Sequence, residues 1–237
     1  MSTFVALWAS LSFSASAVAQ SAAEDFRNVF RTPSTFDSSP IRLTIGEVIF
    51  DFPKNTLFAQ PDKQPRQKAI LLQLVYPEME GRTAANRAEM DKIFQDSRLV
   101  RLLIQDHSWL PRPLSGRQYV NNVFSVGVTG RRGKAEISQS VDTDTGLDDF
   151  HVLASSMTEN YDILVDPKET ERERSFVIQC NRQRPLPQGR LSNPGCALHF
   201  SFRDLSVQAS FVRRLLPQWD AIRRRVTEWM ESSVAKN

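Results

Sequence analysis

From Ile41 onward, apolar and polar side chains alternate with a period of two through much of the chain, and that period predicts β-strands. In "IRLTIGEVIFDF", Ile41, Leu43 and Ile45 share one face and Val48, Phe50 and Phe52 another, with Gly46-Glu47 between them. The segment reads as two short strands or one bent hairpin, ended by Pro53, which has no amide hydrogen to give to a ladder. "AILLQLVYP" at 69–77 reads as a buried strand. In "GRTAANRAEMDKIFQ", Thr83 is placed to cap a helix whose apolar stripe is Met90, Ile93 and Phe94. "RLVRLLIQ" is short and apolar and fits a strand after Asp96-Ser97. "LPRPLSGR" at 110–117 is the clearest internal break, with two prolines and a glycine.

The second half is richer in strand signals. Residues 123–128 and 135–140 flank "TGRRGK", whose glycines favour a tight turn. "FHVLASS", "YDILVDP" and "SFVIQC" read as further strands. Leu198, Phe200 and Phe202 then line one face while His199 and Ser201 line the other, and Leu205, Val207, Ala209 and Phe211 repeat the alternation after an Arg203-Asp204 turn. This is the strongest hairpin in the chain. The closing "LPQWDAIRRRVTEWMESS" changes to helical spacing, with Trp219, Ile222, Val226, Trp229 and Met230 on one stripe and Pro217 suited to the first turn. The pattern predicts an α+β fold: mostly antiparallel sheet, one mid-chain helix, and a C-terminal amphipathic helix packed on the sheet. Its parts are a leader at 1–19, a loosely docked segment at 20–40, an α+β subdomain at 41–109, and a β-rich subdomain with the terminal helix at 118–231. The last two form either two units or one.

Composition narrows the class. The chain has 237 residues, 41% hydrophobic and 24% charged, an ordinary globular balance that excludes wholesale disorder. The first nineteen residues stand apart: they carry no charged side chain, have an apolar centre, and end in Ala17-Val18-Ala19, a small-x-small cleavage site. They read as a secretory signal cut after Ala19, with an n-region that has only the α-amine for its positive charge. No cysteine stands at the cleavage site, which excludes lipid attachment there. Serines at 10, 12, 14 and 16 dilute the apolar run below what a spanning helix requires.

Export changes how the two cysteines are read. In an oxidising compartment an even count favours disulfides, and Cys180 and Cys196 allow one pairing. Their spacing fits neither a redox motif nor a zinc site. A structural disulfide is expected, and with it a periplasmic or secreted location.

Candidate chemistry is sparse. In "DTDTGLDD", Asp142, Asp144, Asp148 and Asp149 offer hard oxygen ligands to Ca²⁺ or another divalent metal. The loop departs from the EF-hand: Gly146 is its fifth position, not its sixth, and no glutamate closes it. Asp144-Thr145-Gly146 also matches an aspartic-protease triplet but lacks the apolar flanks. A solvated acidic turn is the plain alternative, and no cofactor is otherwise implied. The three histidines, His107, His151 and His199, fall on separate elements without metal-ligand spacing. No nucleophile elbow or phosphate-binding glycine loop occurs.

The formal net charge is +3. Arg182, Arg184 and Arg190 lie in the loop between the cysteines, and Arg213, Arg214, Arg223, Arg224 and Arg225 surround the terminal helix. A planar guanidinium suits carboxylates and phosphates alike. In an exported chain these arginines point away from nucleic acid and towards an acidic protein partner or anionic lipid headgroups.

Three fragments carry a resemblance: "DFPKNTLF", "YPEMEGRTAANR" and "LPQWDAIRRRV". With them the chain, over roughly 41–230, resembles small periplasmic proteins of proteobacteria that accompany secreted effectors, including type VI lipases, as accessory or immunity partners. The resemblance implies a non-enzymatic protein that binds and blocks a secreted effector enzyme. It assigns no functional residues. A second reading is a metal-dependent periplasmic hydrolase using the acidic cluster at 142–149, and a third is envelope association through the arginine-rich helix.

Overall fold

The computed structural model describes residues 36–59, 61, 64–107, 137–152, 161–168, 176–182 and 194–236. The expected signal sequence at 1–19, the expected break at 110–117, the strand expected at 123–128 with its "TGRRGK" turn, and Arg184 and Arg190 lie outside the described residues.

The alternation read at 41–52 folds as a hairpin of β1 (Pro40–Ile45) and β2 (Val48–Pro53). Antiparallel pairing sets Ile41 opposite Phe52 and Leu43 opposite Phe50. The two apolar sets expected on separate faces therefore share one, because cross-strand partners project to the same side. Gly46 has a φ of 59°, and a Cβ there would come 3.2 Å from Leu205 Cδ2, so both the turn and the neighbouring strand favour glycine. A two-residue β3 (Arg66–Gln67) pairs parallel to β1 and completes a small sheet of order β2-β1-β3.

The large sheet has eight described strands: β4 (Ala69–Val75), β5 (Leu99–Asp106), β6 (Ile137–Val141), β7 (Asp148–Val152), β8 (Tyr161–Val165), β9 (Phe176–Asn181), β10 (Gly195–Phe202) and β11 (Leu205–Val212). Their order is β4-β5-β11-β10-β9-β8-β7-β6, with every neighbouring pair antiparallel. The sheet is thus built on the β10–β11 hairpin, with β4–β5 added on one side and β9 through β6 on the other.

One face of this sheet is covered; among the described residues the other is covered at the β4–β5 end, where Met90 and Phe94 pack on Val75 and Leu99, and is more open elsewhere. The covered face presents Leu102, Ile104, Ile178, Leu198, Phe200, Val207 and Ala209 to a core that also holds Leu43, Ile45, Phe50 and Phe52 of the small sheet. The terminal helix α2 (Trp219–Ser233) adds Ile222, Val226 and Met230, all fully buried. Aromatic stacking fixes its seat: Trp229 lies on Phe52 with ring centroids 5.5 Å apart, and Trp219 on Phe176 at 4.4 Å. Pro217 sits in the preceding 3₁₀ turn, Arg213–Gln218, rather than in the first turn of the helix itself.

The mid-chain helix is much shorter than expected. α1 is the single turn Arg87–Met90, followed by a 3₁₀ turn at Phe94–Asp96. Thr83 and Asn86 close a local loop instead, the Thr83 amide donating to Asn86 Oδ1 and the Asn86 amide to Thr83 Oγ1. Met90 is buried, whereas Ile93 is 65% exposed, so the apolar stripe is interrupted after one turn.

Candidate functional site

Strand register decides which of the predicted residues meet. Cys180 and Cys196 are direct cross-strand partners on β9 and β10 and form a disulfide. The bond ties together the two strands that lie on either side of residues 183–193 in the sequence.

At the β7–β9 end of the covered face, acidic and basic groups converge on Asp162. Its carboxylate, nearly buried, takes Arg182 Nε at 2.6 Å on one oxygen and Arg213 Nη1 at 2.5 Å on the other. Arg213 also donates to the Asn181 carbonyl at 3.0 Å. Two cations around one low-dielectric carboxylate hold β8, β9 and the turn after β11 together. Asp149 enters the same face from β7, in register with Leu164. Burial, and then the nearby Asp162 charge, push its carboxyl up to about 6. His151 Nδ1 lies 3.9 Å from Asp149 Oδ2, outside hydrogen-bonding distance.

The acidic segment at 142–149 is a turn between β6 and β7. Asp142 Oδ1 accepts from the Thr145 amide at 2.9 Å and from the Thr145 hydroxyl at 2.7 Å, and the Gly146 amide closes onto the Asp142 carbonyl at 2.8 Å. Asp144 projects into solvent. Asp148 and Asp149, adjacent on β7, point to opposite sides of the sheet. The four carboxylates therefore do not converge, and no group of three or more His, Cys, Asp or Glu among the described residues is arranged to hold a metal ion. His151 and His199 lie on opposite faces of the sheet, as their registers with Ser138 and Val177 place them.

The remaining arginines divide by environment. Arg214 Nη2 donates to the carbonyls of Asp96 and Ser97, each at 2.9 Å, joining the 3₁₀ turn to the end of β11. Arg223 lies over Phe176 and Phe200, 5.1 and 5.8 Å from the ring centroids, and burial lowers its pKa. Arg224 and Arg225 are exposed on the outer side of α2, with Arg225 4.0 Å from Glu228.

The open face of the large sheet carries a hollow of about 310 Å³. Its floor is built by outward positions of four neighbouring strands, Tyr161, Gln179, His199, Gln208 and Ser210 among them, and Phe94 forms a wall. Among the described residues the lining holds no acidic side chain. Burial lowers the pKa of His199, which keeps its ring neutral at neutral pH. Beside the hollow, Arg101 is the direct β5 partner of Ser210. Its guanidinium lies over two rings, 4.7 Å from the centroid of Phe58 and 4.6 Å from that of Phe94. Alternation on β10 set His199 on the side away from the apolar face, but only the pairing of distant strands assembles the hollow and brings Arg101 beside it. Asp162, inside "YDILVDP", was hidden for the same reason.

No protein-family model matches the chain, and no curated protein does. Two solved structures align with the chain. Smlt3025, an immunity protein of the Stenotrophomonas maltophilia type IV secretion system, aligns with a TM-score of 0.59 at 16% identity, covering 84% of this chain and 94% of its own. The Neisseria meningitidis iron-regulated outer membrane lipoprotein FrpD aligns with a TM-score of 0.47 at 11% identity, covering 86% of this chain and 96% of its own. The immunity protein of a type IV system, not of the type VI system named in the sequence resemblance, is thus the neighbour whose fold this chain shares across most of its length.

Proposed function

We propose that the chain is an exported, non-catalytic immunity or accessory protein that binds and neutralises a secreted effector enzyme in the periplasm. The observation that carries this reading is the fold shared with an immunity protein over 84% of the chain. It agrees with the independent resemblance of three sequence fragments to periplasmic immunity partners. The signal-like segment at 1–19 and the Cys180–Cys196 bond support export, since disulfides persist in oxidising compartments. Among the described residues no helix is long and apolar enough to cross a membrane. The sequence resemblance names type VI lipases as the effectors and the fold neighbour serves a type IV system; the shared element, a protein partner to be blocked, is what the proposal retains.

The experiment pairs the chain with the products of adjacent genes. A neighbouring effector directed to the periplasm should arrest growth, and co-expression of this chain with residues 1–19 should restore it, while the same chain without them should not. Failure of every adjacent product to form a stable complex removes the immunity reading.

A further inference from the structure

A β-sheet exposes unpaired backbone donors and acceptors wherever it ends, and this fold treats its ends in two ways. At β4, the outer strand of the large sheet on one side, the chain covers the edge itself. Leu57 bridges to Leu72, and the Phe58 amide donates to the Leu71 carbonyl at 2.9 Å. At β2, an outer strand of the small sheet, the segment after α2 does the same. Val234 bridges to Phe50, and the Ala235 amide donates to the Ile49 carbonyl at 2.9 Å. Among the described residues β6 closes the large sheet on its other side, and no segment pairs with its outer edge. Gln139, Ser140 and Val141 are exposed, Val141 by 63%, so nothing in the chain buries this stretch.

The residues of β6 do not guard it. Edge strands are commonly protected by lysine, proline or a bulge. Ile137–Val141 reads ISQSV, without charge or proline, and it pairs with β7 residue for residue, without a bulge. The charged positions Asp148 and Asp149 stand one strand inwards, on β7. The strand is also chemically symmetric about its centre: reversed, it again runs apolar, serine, glutamine, serine, apolar. An antiparallel neighbour presents its residues in reversed order. A second copy of β6 therefore brings Gln139 opposite Gln139, Ser138 opposite Ser140 and Ile137 opposite Val141. Hydroxyls and amides carry both donors and acceptors, and no charge meets a like charge. A two-fold axis through the Gln139 pair closes the assembly at two chains. A strand from another protein would have to supply this match, whereas a second copy has it by construction.

We infer that β6 is a self-association edge, through which two copies of the chain pair antiparallel over Ile137–Val141 about a two-fold axis at Gln139 and join their large sheets into one. The inference goes beyond the immunity reading and does not depend on it. A five-residue ladder buries little surface by the standard of stable dimers, so the association is weak and governed by concentration.

Sedimentation velocity of the full oxidised chain, from about 1 μM to about 1 mM, should show monomer passing to dimer and no larger species. Gln139→Lys sets two ammonium groups face to face at the axis. It should weaken the dimer by about 10-fold or more and leave the melting temperature of the monomer unchanged, because Gln139 is exposed. Cross-linking reads the register. Directly opposed residues hold their Cβ atoms about 4.5–5.5 Å apart, within reach of a disulfide after a small adjustment, and diagonal residues are farther apart. Gln139→Cys should therefore oxidise to a covalent dimer alone, whereas Ser138→Cys and Ser140→Cys should do so only when the two variants are mixed. A chain still monomeric at about 1 mM, a dimer indifferent to Gln139→Lys, or Ser138→Cys cross-linking to itself in preference to the mixture overturns the assignment. A chain that stays monomeric but loses an effector complex on Gln139→Lys also overturns it, gives the edge to a strand of the effector, and leaves the immunity reading standing. A dimer in the expected register, with no adjacent product bound, upholds self-association while the immunity reading fails.

Discussion

At Asp149 a single carboxyl group makes stability depend on pH. Its folded-state pKa, about 6, lies above the ordinary aspartate value of about 4. An acid of this kind binds its proton more tightly when folded than when unfolded. The folded state therefore loses stability as pH rises from about 4 through about 6, and the loss is complete above that window. Asp149→Asn removes the buried charge while keeping the shape. The variant should be more stable than the parent at pH 7, with the difference vanishing near pH 4, as denaturant midpoints at the two pH values would read. A parent and variant with parallel pH profiles would contradict it. The residue scale is also where the sequence was least legible. Asp149 was marked as a metal-ligand candidate by its acidic neighbours, but its environment is set by burial and then by Asp162, His151 and Arg182, and Asp162 and Arg182 reach it only through the pairing of β7, β8 and β9. Arg101 has the same history, since neither Ser210 nor Phe58 is its neighbour in sequence.

Elements were read more successfully, and the reason is local. The β10–β11 hairpin has one face wholly buried, and a period-two pattern cannot shift by one residue without turning that face to water. The terminal helix was equally clear because its stripe is continuous from Trp219 to Met230. α1 failed where its stripe failed, at the exposed Ile93. The disulfide between β9 and β10 provides the prediction at this scale. It closes a separation of 16 residues, for which chain entropy predicts about 3 kcal/mol of stabilisation. Cys180→Ser with Cys196→Ser should lower the unfolding free energy by up to that amount in urea titration, without changing the far-ultraviolet circular dichroism of the folded state. A double variant as stable as the oxidised parent would show that the unfolded chain is not constrained by the bond.

Across the whole molecule, the sheet order joins the early and late parts of the chain. β5 lies between β4 and β11, and the core under β4 and β5 is shared with the small sheet and α2. Residues 36–107 alone would leave the inner edge of β5 unpaired and the apolar face of the β1–β2 hairpin without Trp229 and Met230. That fragment should therefore lack a cooperative thermal transition, and a two-state melt of the isolated fragment would show that it folds by itself. Sequence patterning could not reach this level. It marks faces and turns, whereas the adjacency of β5 and β11 follows from the burial of the complete chain.

Cys196 belongs both to the covalent link and to the floor of the hollow beside Arg101. A newly made chain with free thiols has that floor held only by ladder hydrogen bonds and packing. Oxidation then joins β9 to β10 beneath the side chains of Gln179 and His199. The floor of the hollow is therefore firmer in the oxidised chain than in the reduced one, and its shape answers to the redox state of the surroundings.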